Sequence, residues 1–304
     1  MSCRKENTML EFKEVCAEDY REAAPIMRQS GFNSTECSFP TMFLWRTLYN
    51  TKICIKDETV YFKFERNGKS TYLTPFGDDI KKALDELRQS ISEEEIIFGA
   101  VTEGMKNRLE DAFPGEFEYT ERRKSFDYIY RTEALATLSG KKLHQKRNHV
   151  NKFIKRYEGR FSYEELSEES IPEIVSFQKE WVEMSISRGN NEDIRYESEM
   201  IVKLLDSFSE LGLIGGVVRL DGEVKAYCVG SQISHDTVDV MIEKGDYAFD
   251  GIYQYINKKF AESLLGKVEF LNREDDAGVE GLRKSKLSYD PAILLKKYGA
   301  VWKR

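Results

Sequence analysis

The segment from Gly140 to Arg156 concentrates positive charge in an acidic protein. It reads GKKLHQKRNHVNKFIKR and contains seven Lys or Arg residues, two of the three His residues and no acid, whereas the 304-residue chain has a net charge of -7. Arg binds phosphate through paired hydrogen bonds and Lys binds it as a point charge. The segment therefore offers five candidates for an anion site: Lys141, Lys142, Lys146, Arg147 and Asn148.

The same segment has the apolar spacing of a helix. Five residues fall at offsets of 0, 7, 10, 11 and 14 and predict one apolar helical face. They are Leu143, Val150, Phe153, Ile154 and Tyr157. Packing of this face would explain the helix without any ligand, but not the absence of acids, since exposed helices gain from opposite charges four residues apart. A purely structural helix and an anion-binding helix both stay open.

No metal site is expected in this segment. His144 and His149 lie five residues apart and have no cysteine or acid close by in the sequence.

Strand and helix patterns divide the chain into two halves with one element order. Each half has a strand, one or two helices, three β-rich runs, and then helix, strand, helix and strand. SFDYIYR (125–131) closes the first half and AVWK (300–303) closes the second. This order is the layout of a GNAT-type acyltransferase domain, so the predicted fold is mixed α/β (α+β). It has two tandem GNAT-like domains, each with a mainly antiparallel sheet flanked by helices.

The expected boundaries are a first domain at 1–130, a basic linker helix at 131–160 and a second domain at 161–304. Five cysteines are scattered without a Cys-x-x-Cys pair, which predicts neither disulfides nor zinc. The most apolar window, 211–220, is shorter than the ~20 residues that cross a bilayer. We therefore expect a cytoplasmic protein with at most peripheral membrane contact.

The turn before a late helix departs from the coenzyme A signature. In GNAT domains the amides at the start of the helix after the fourth strand hold the donor's pyrophosphate. Here that stretch reads KGDYAFDGIYQYINKKF (244–260), and neither register around Gly251 matches Gln/Arg-x-x-Gly-x-Gly/Ala. Asp250 would also place a carboxylate near those amides. Gly251 stays a donor-loop candidate, but the pattern disfavours conventional acetyl-coenzyme A binding.

Four segments resemble the bacterial family of phosphatidylglycerol lysyltransferase C-terminal domains. They are LSGKKLHQKRNHVNKF (138–153), TVDVMIEK (237–244), GIYQYINKKFAESL (251–264) and EFLNREDDAGVEGLRKSKLSYDPAILLKKYGA (269–300). The resemblance implies a tandem GNAT fold related to Fem-type transferases, which use aminoacyl-tRNA as donor in place of acyl-coenzyme A. It also implies tRNA as a partner and a small molecule or lipid headgroup as acceptor.

The resemblance also nominates catalytic residues. Asp239 in VDVM matches the Asp-Leu-Met-like strand motif of the lysyltransferases, which implies that it binds a cationic aminoacyl group or orients its amine. The alternative is a solvent-facing strand residue, because alternation places Val238, Val240 and Ile242 on the other face. The other candidates for proton transfer near the cleft are Glu243, Tyr227 and Tyr253. For the two tyrosines a place in the core is the competing interpretation.

The run NREDDAGVEGLRKSK (272–286) crowds acids and bases together. Its acids precede its bases, as a helix dipole prefers, which is a sufficient structural explanation. Asn272 and Arg273 nevertheless end the fifth strand, where a GNAT fold opens its cleft, so they and Arg283 are cleft candidates.

Together these features predict an acyl- or aminoacyltransferase that acts on an amine or hydroxyl, with aminoacyl-tRNA as donor. Two alternatives stay open: a coenzyme A-dependent N-acyltransferase, and a non-catalytic tandem GNAT protein that binds a small ligand.

Overall fold

A computed structural model describes residues 9–66, 68–189 and 193–303. Cys3 lies outside these ranges. Within them the chain forms two seven-stranded sheets. The strands are β1 Lys13–Glu14, β2 Lys52–Lys56, β3 Thr59–Arg66, β4 Lys69–Tyr72, β5 Glu95–Thr102, β6 Phe117–Glu121, β7 Asp127–Arg131, β8 Phe161–Glu165, β9 Ile214–Leu220, β10 Glu223–Gln232, β11 Thr237–Gly245, β12 Phe270–Asn272, β13 Ile293–Leu295 and β14 Lys297–Lys303.

The helices flank these sheets. They are α1 Tyr20–Gln29, α2 Phe39–Leu44, α3 Ile80–Ser90, α4 Glu103–Ala112, α5 Thr132–Thr137, α6 His144–Arg156, α7 Ile171–Ser187, α8 Asp193–Leu205, α9 Ile252–Ser263 and α10 Glu280–Leu287. The predicted mixed α/β class is confirmed. Local rules account for many boundaries: the Asp79 side chain caps α3 by accepting from the amide of Lys82, and Asp57 and Glu58 both take positive φ in the β2–β3 turn.

The two sheets exchange their last strands. The first has the order β1-β2-β3-β4-β5-β14-β6 and the second β13-β7-β12-β11-β10-β9-β8. The prediction that 125–131 and 300–303 each close their own half is therefore wrong for these strands. β7 pairs with β12 and β13 of the second sheet, and β14 pairs with β5 and β6 of the first. Strand propensity is local, whereas the partner of a strand is set by tertiary packing.

The basic segment forms helix α6, as predicted. Leu143, Val150, Phe153 and Tyr157 are buried in the core of the second half, where Phe153 stacks on Tyr255 of α9. Ile154 is 39% exposed, because it lies at the edge of the apolar stripe. The stripe thus fixes α6 against α9 and turns the basic face outward.

Candidate functional site

Two parallel strands separate at the centre of the second half. β11 and β12 pair at three positions, of which Asp239 opposite Asn272 is the last. Beyond this pair β11 continues along β10 to Gly245, whereas the chain leaves the sheet at Arg273. The strands therefore open a gap at their carboxyl ends, the edge at which α/β proteins commonly bind ligands.

A β-bulge changes which side chains share a face of β11. Val229 of β10 pairs with Ile242 and Gly230 pairs with Val240, so Met241 is the extra residue. Val238 and Val240 belong to the core of the second half, whereas Ile242 belongs to the other core. The prediction that Val238, Val240 and Ile242 share one face is wrong, because the extra residue reverses the alternation.

The bulge consequently sends two candidate acids to opposite sides of the sheet. Asp239 faces the first half, where its Oδ2 accepts hydrogen bonds from the hydroxyls of Thr35 (2.8 Å) and Thr41 (3.0 Å). Glu243 faces Arg273 and α9 instead. Simple alternation would have placed residues 239 and 243 on the same face of the strand.

Asp239 belongs to a group of polar residues between the two halves, here called the interface cluster. Its members are Thr35, Glu36, Thr41, Asp127, Asp239, Asn272, Glu274 and Lys297. Asp127 accepts from the Thr35 amide (2.9 Å), from Asn272 Nδ2 (2.9 Å) and from Lys297 Nζ (2.7 Å). Lys297 also contacts Glu36 (2.5 Å), and the Thr35 hydroxyl also lies 3.2 Å from Glu274 Oε1. Residues from both halves therefore complete one network.

Burial perturbs the acids of the interface cluster. Asp239 is 0% exposed, so the interpretation of a solvent-facing aspartate is wrong, and its buried Oδ1 has no hydrogen-bond partner among the described residues. Burial, opposed by the Thr35 hydrogen bond and reinforced by Asp127, raises the pKa of Asp239 to about 7. Burial and the nearby Asp239 raise the pKa of Glu274 well above its usual range. Perturbed carboxyls of this kind are candidates for proton transfer at neutral pH.

The opposite side of the gap holds a second group, here called the cleft cluster: Glu243, Asn257, Arg273, Tyr289 and Lys146. Arg273 Nη2 lies 3.1 and 3.2 Å from the two Glu243 oxygens, and Asn257 Nδ2 donates to Glu243 Oε2 (3.2 Å). Tyr289 lies between two cations, with Lys146 Nζ 4.2 Å and the Arg273 guanidinium 4.9 Å from its ring centre. Three predicted residues from separate segments, Glu243, Arg273 and Lys146, thus meet here.

The two candidate tyrosines lie away from both clusters. Tyr227 is fully buried against α7, where its hydroxyl donates to Gln178 Oε1 (2.6 Å). Tyr253 packs on Tyr247, and its hydroxyl accepts from Trp181 Nε1 (3.1 Å). Burial raises the pKa of each hydroxyl above its usual value. Both side chains therefore have a packing role in this structure.

Gly251 lies at the start of α9, directly beneath α6. Its φ is +91°, and a Cβ added there would lie 2.6 Å from the His149 carbonyl oxygen and 3.0 Å from Phe153 Cβ. The Asp250 carboxylate lies 3.6 Å from His149 Nδ1. Backbone and side-chain oxygens therefore occupy the surroundings of the α9 N-terminus.

The remaining basic candidates surround a surface hollow of about 610 Å³ at the start of α6. Lys142 pairs with Asp290 (2.9 Å), and Arg147 Nη1 donates to the Leu138 carbonyl (2.5 Å). Asn148 Nδ2 lies 3.1 Å from His144 Nε2, on the same helix. Within the described ranges Lys141 forms no ion pair, so it keeps its charge available at the rim.

The last two cleft candidates have clear structural partners. Asn272 is buried in the interface cluster, where it also donates to the Asn33 carbonyl (2.8 Å). Arg283 binds both oxygens of buried Asp276 (2.8 and 2.9 Å) and so anchors α10. The dipole interpretation of 272–286 did not include this ion pair. Asp276 precedes α10, and Arg283 in the second turn of the helix reaches back to it.

The sequence analysis missed Thr35, Asp127, Glu274 and Lys297 as site residues. Thr35 and Asp127 lie 204 and 112 positions before Asp239 in the chain, Thr35 just before α2 and Asp127 on the exchanged strand β7. The one local signal was a Lys inside a strand with an apolar neighbourhood, KKYGAVWK (296–303). A lysine that is buried in a strand requires an acidic partner.

Comparison with known protein families identifies the family of this chain. The model of the phosphatidylglycerol lysyltransferase C-terminal family matches residues 28–301. The chain belongs to this family. The phosphatidylglycerol lysyltransferase C-terminal fold therefore includes both sheets and the exchanged strands.

Solved structures share the fold of this chain. A conserved protein of unknown function from Bacteroides thetaiotaomicron is 34% identical, with a TM-score of 0.90 over 97% of this chain and 100% of that one. L-PGS from Bacillus licheniformis superimposes with a TM-score of 0.66 at 14% identity, over 97% and 93%. FemX superimposes with a TM-score of 0.61 at 10% identity, over 97% and 98%. The last two show the fold alone, which is the predicted tandem GNAT fold related to Fem proteins.

One curated relative is an uncharacterised protein of Mycoplasmoides gallisepticum, 29% identical over 178 residues. The match covers 57% of this chain and 55% of the relative, so the chain spans about half the length of that protein. Family and fold point to a GNAT-like aminoacyl- or acyltransferase. Among the described residues, no helix is long and apolar enough to cross a membrane.

Proposed function

We propose that this protein transfers an aminoacyl group from aminoacyl-tRNA to an amine or hydroxyl acceptor. The observation that carries the proposal is the packing of α6 over the N-terminus of α9. The same helix that covers this end of α9 presents its basic residues to the outside.

The covered helix end disfavours a pyrophosphate-containing donor. Free amides and the helix dipole attract phosphate to an open helix N-terminus. Here the His149 carbonyl lies where a side chain on Gly251 would project, and Asp250 adds a negative charge. A carbonyl oxygen and a carboxylate both repel phosphate oxygens. The N-terminus of α9 is therefore poorly suited to bind the pyrophosphate of coenzyme A.

Positive charge lies instead on the outer side of α6 and reaches the cleft cluster. Lys146 is half-buried over Tyr289 and forms no ion pair among the described residues, and burial together with Arg273 lowers its pKa. Lys141 lies one turn before α6, at the rim of the hollow. Backbone phosphates near the acylated end of a tRNA would bind to such a path, because Lys and Arg displace the counterions that phosphates hold.

The gap between β11 and β12 offers the groups that acyl transfer requires. Arg273, on one side, supplies a cation for the carbonyl oxygen of the acyl ester. The carboxyls of the interface cluster, on the other side, supply acceptors for the proton of the attacking amine or hydroxyl. Positioning of the two substrates would supply the rest of the rate enhancement.

Binding of tRNA to the full chain tests the proposal. We expect aminoacyl-tRNA to bind in filter assays at about 50 mM salt and to lose affinity steeply towards about 200 mM. Lys141→Ala combined with Lys146→Ala should weaken binding and reduce the salt slope by about two, one for each phosphate contact. Arg147 is left intact, because its bond to the Leu138 carbonyl holds the turn before α6.

The matched control removes the same number of charges from the same basic segment. Lys152→Ala with Lys155→Ala changes two exposed lysines near the other end of α6 and should leave binding nearly unchanged. Absence of tRNA binding at low salt would overturn the proposal. Saturable binding of acetyl-coenzyme A would favour the coenzyme A-dependent alternative instead.

A further inference from the structure

The hydroxyl of Thr35 lies between two carboxyls of the interface cluster. Its Oγ1 is 2.8 Å from Asp239 Oδ2 and 3.2 Å from Glu274 Oε1. A threonine hydroxyl has one hydrogen to donate, and an ionised carboxylate can only accept. If both carboxyls were ionised, one of them would face Thr35 without a hydrogen bond.

A single added proton completes this chain of hydrogen bonds. With the proton on Asp239 Oδ2, Thr41 donates to Oδ2, Asp239 donates to Thr35, and Thr35 donates to Glu274. Each hydrogen is then used once. Neutral Asp239 also lowers the cost of its buried Oδ1, which has no partner.

The charged groups around Asp239 and Glu274 are consistent with one proton shared by these two carboxyls. Asp127 and Glu36 share Lys297, and Lys286 donates to the backbone carbonyls of Arg273 and Asp275, on either side of Glu274. The other acid close to Glu274 is half-buried Asp275, whose pKa is raised by burial. No group of three or more His, Cys, Asp or Glu in the described ranges is arranged to hold a metal ion. A bound proton is therefore the simplest way to reduce the negative charge of the Asp239–Glu274 pair.

We propose that Asp239 and Glu274 share one proton through the Thr35 hydroxyl, and that Glu274 is the base that receives the acceptor's proton. The second part rests on the proposed transferase function. Glu274 is the partly exposed member of the pair and lies where the chain leaves β12, whereas Asp239 is fully buried. Thr35 belongs to the first half, so the first half contributes to the chemistry of the second.

The step balances without a further reagent. The acceptor's nitrogen or oxygen bonds to the acyl carbon, the ester bond to the tRNA breaks, and the acceptor's proton passes to the Glu274 carboxylate. Glu274 then returns this proton to the departing tRNA oxygen. During this step the shared proton stays on Asp239, so Glu274 is the carboxylate that receives the acceptor's proton.

Carbon-13 NMR of carboxyl-labelled Asp and Glu in the full chain tests the sharing directly. Resonances absent from Asp239→Asn and from Glu274→Gln identify the two carboxyls. Thr35→Val should shift the titration midpoints of both, and that of Asp239 upward, because its anion loses a hydrogen bond. Thr41→Val is the matched control: it removes a hydroxyl that bonds Asp239 but not Glu274, so it should shift the Glu274 midpoint less than Thr35→Val does.

The second arm measures transfer with a surrogate acceptor. Hydroxylamine attacks the aminoacyl ester of a charged tRNA pool and forms a hydroxamate. Glu274→Gln should lower the enzyme-dependent rate by about 10²- to 10⁴-fold, the usual contribution of a general base. Equal effects of Thr35→Val and Thr41→Val on the Glu274 midpoint would overturn the sharing, and an unchanged rate in Glu274→Gln would overturn the base role. Coupled titration in a wild-type protein that transfers nothing would refute the transferase function and the base role but leave the shared proton.

Discussion

Replacing Lys297 by Met should be among the most destabilising single changes in this protein. Lys297 is 0% exposed and lies on β14, the C-terminal strand that completes the first sheet. Its Nζ lies 2.7 Å from Asp127 on β7 of the second sheet and 2.5 Å from Glu36. The side chain therefore joins both sheets at the place where their strands are exchanged.

The magnitude follows from the burial of its partners. Methionine keeps most of the volume but removes the charge, so Asp127, which is fully buried, loses its cation. Breaking a buried pair by removing one partner costs about 3–5 kcal/mol. Lys296 is the matched control, because its side chain is 59% exposed and its contact with Glu121 is 3.8 Å long. Lys296→Met should cost less than about 1 kcal/mol.

Urea unfolding, followed by the combined fluorescence of Trp45, Trp181 and Trp302, measures the difference. Burial alone would lower the pKa of Lys297, but Asp127 and Glu36 outweigh it and the pKa is raised. The group is thus charged in both states at neutral pH, so its own titration does not alter the loss between about pH 6 and 9. Adding Asp127→Asn should recover part of the loss, since the unpaired charge is then gone. A free energy change below about 1 kcal/mol, or one equal to that of Lys296→Met, would refute the reasoning.

Two other predictions concern pH and packing. The raised pKa of Asp239, about 7, means that the folded state binds its proton more tightly than the unfolded state, so this group's contribution to stability falls as the pH rises from about 4 to 7. The unfolding free energy of Asp239→Asn minus that of wild type should therefore increase over this window, by at most about 1.4 kcal/mol per pH unit, and then level off; a flat difference in urea titrations would contradict the shift. Gly251→Ala should lower the melting temperature more than Gly266→Ala does, because both have positive φ but only the first methyl group meets backbone, at the His149 carbonyl. Equal losses would show that α6 does not press on the start of α9.

Local patterns in the sequence were informative wherever the cause is local. The stripe of Val150, Phe153 and Tyr157 predicted helix α6, and the alternation of β-rich runs predicted both meanders. The departure of the loop around Gly251 from the coenzyme A signature was also visible, although its cause, the approach of α6, was not. Each of these predictions depends only on residues that lie close together in the sequence, within a few helical turns or a single strand.

Side-chain direction in β11 shows where local patterns stop being sufficient. Strict alternation places Ile242 on the same face of β11 as Val238 and Val240, and it places Asp239 and Glu243 together on the opposite face. One extra residue in a strand is invisible in the composition of that strand, because the bulge depends on the register with β10. The division of the candidate site into two clusters follows from that register.

The sequence by itself determined the family, the mixed α/β class and the basic helix, and it proposed, for separate roles, three residues that the structure brings together in the cleft cluster: Glu243, Arg273 and Lys146. Only the tertiary structure decided that β7 and β14 change sheets, which brings Asp127 and Lys297 into the interface cluster, and that Thr35 lies between two carboxyls. The physical reason is that periodicity encodes which residues are buried, whereas the partner of an acid in the interface cluster depends on contacts between residues as far as 261 positions apart in the chain.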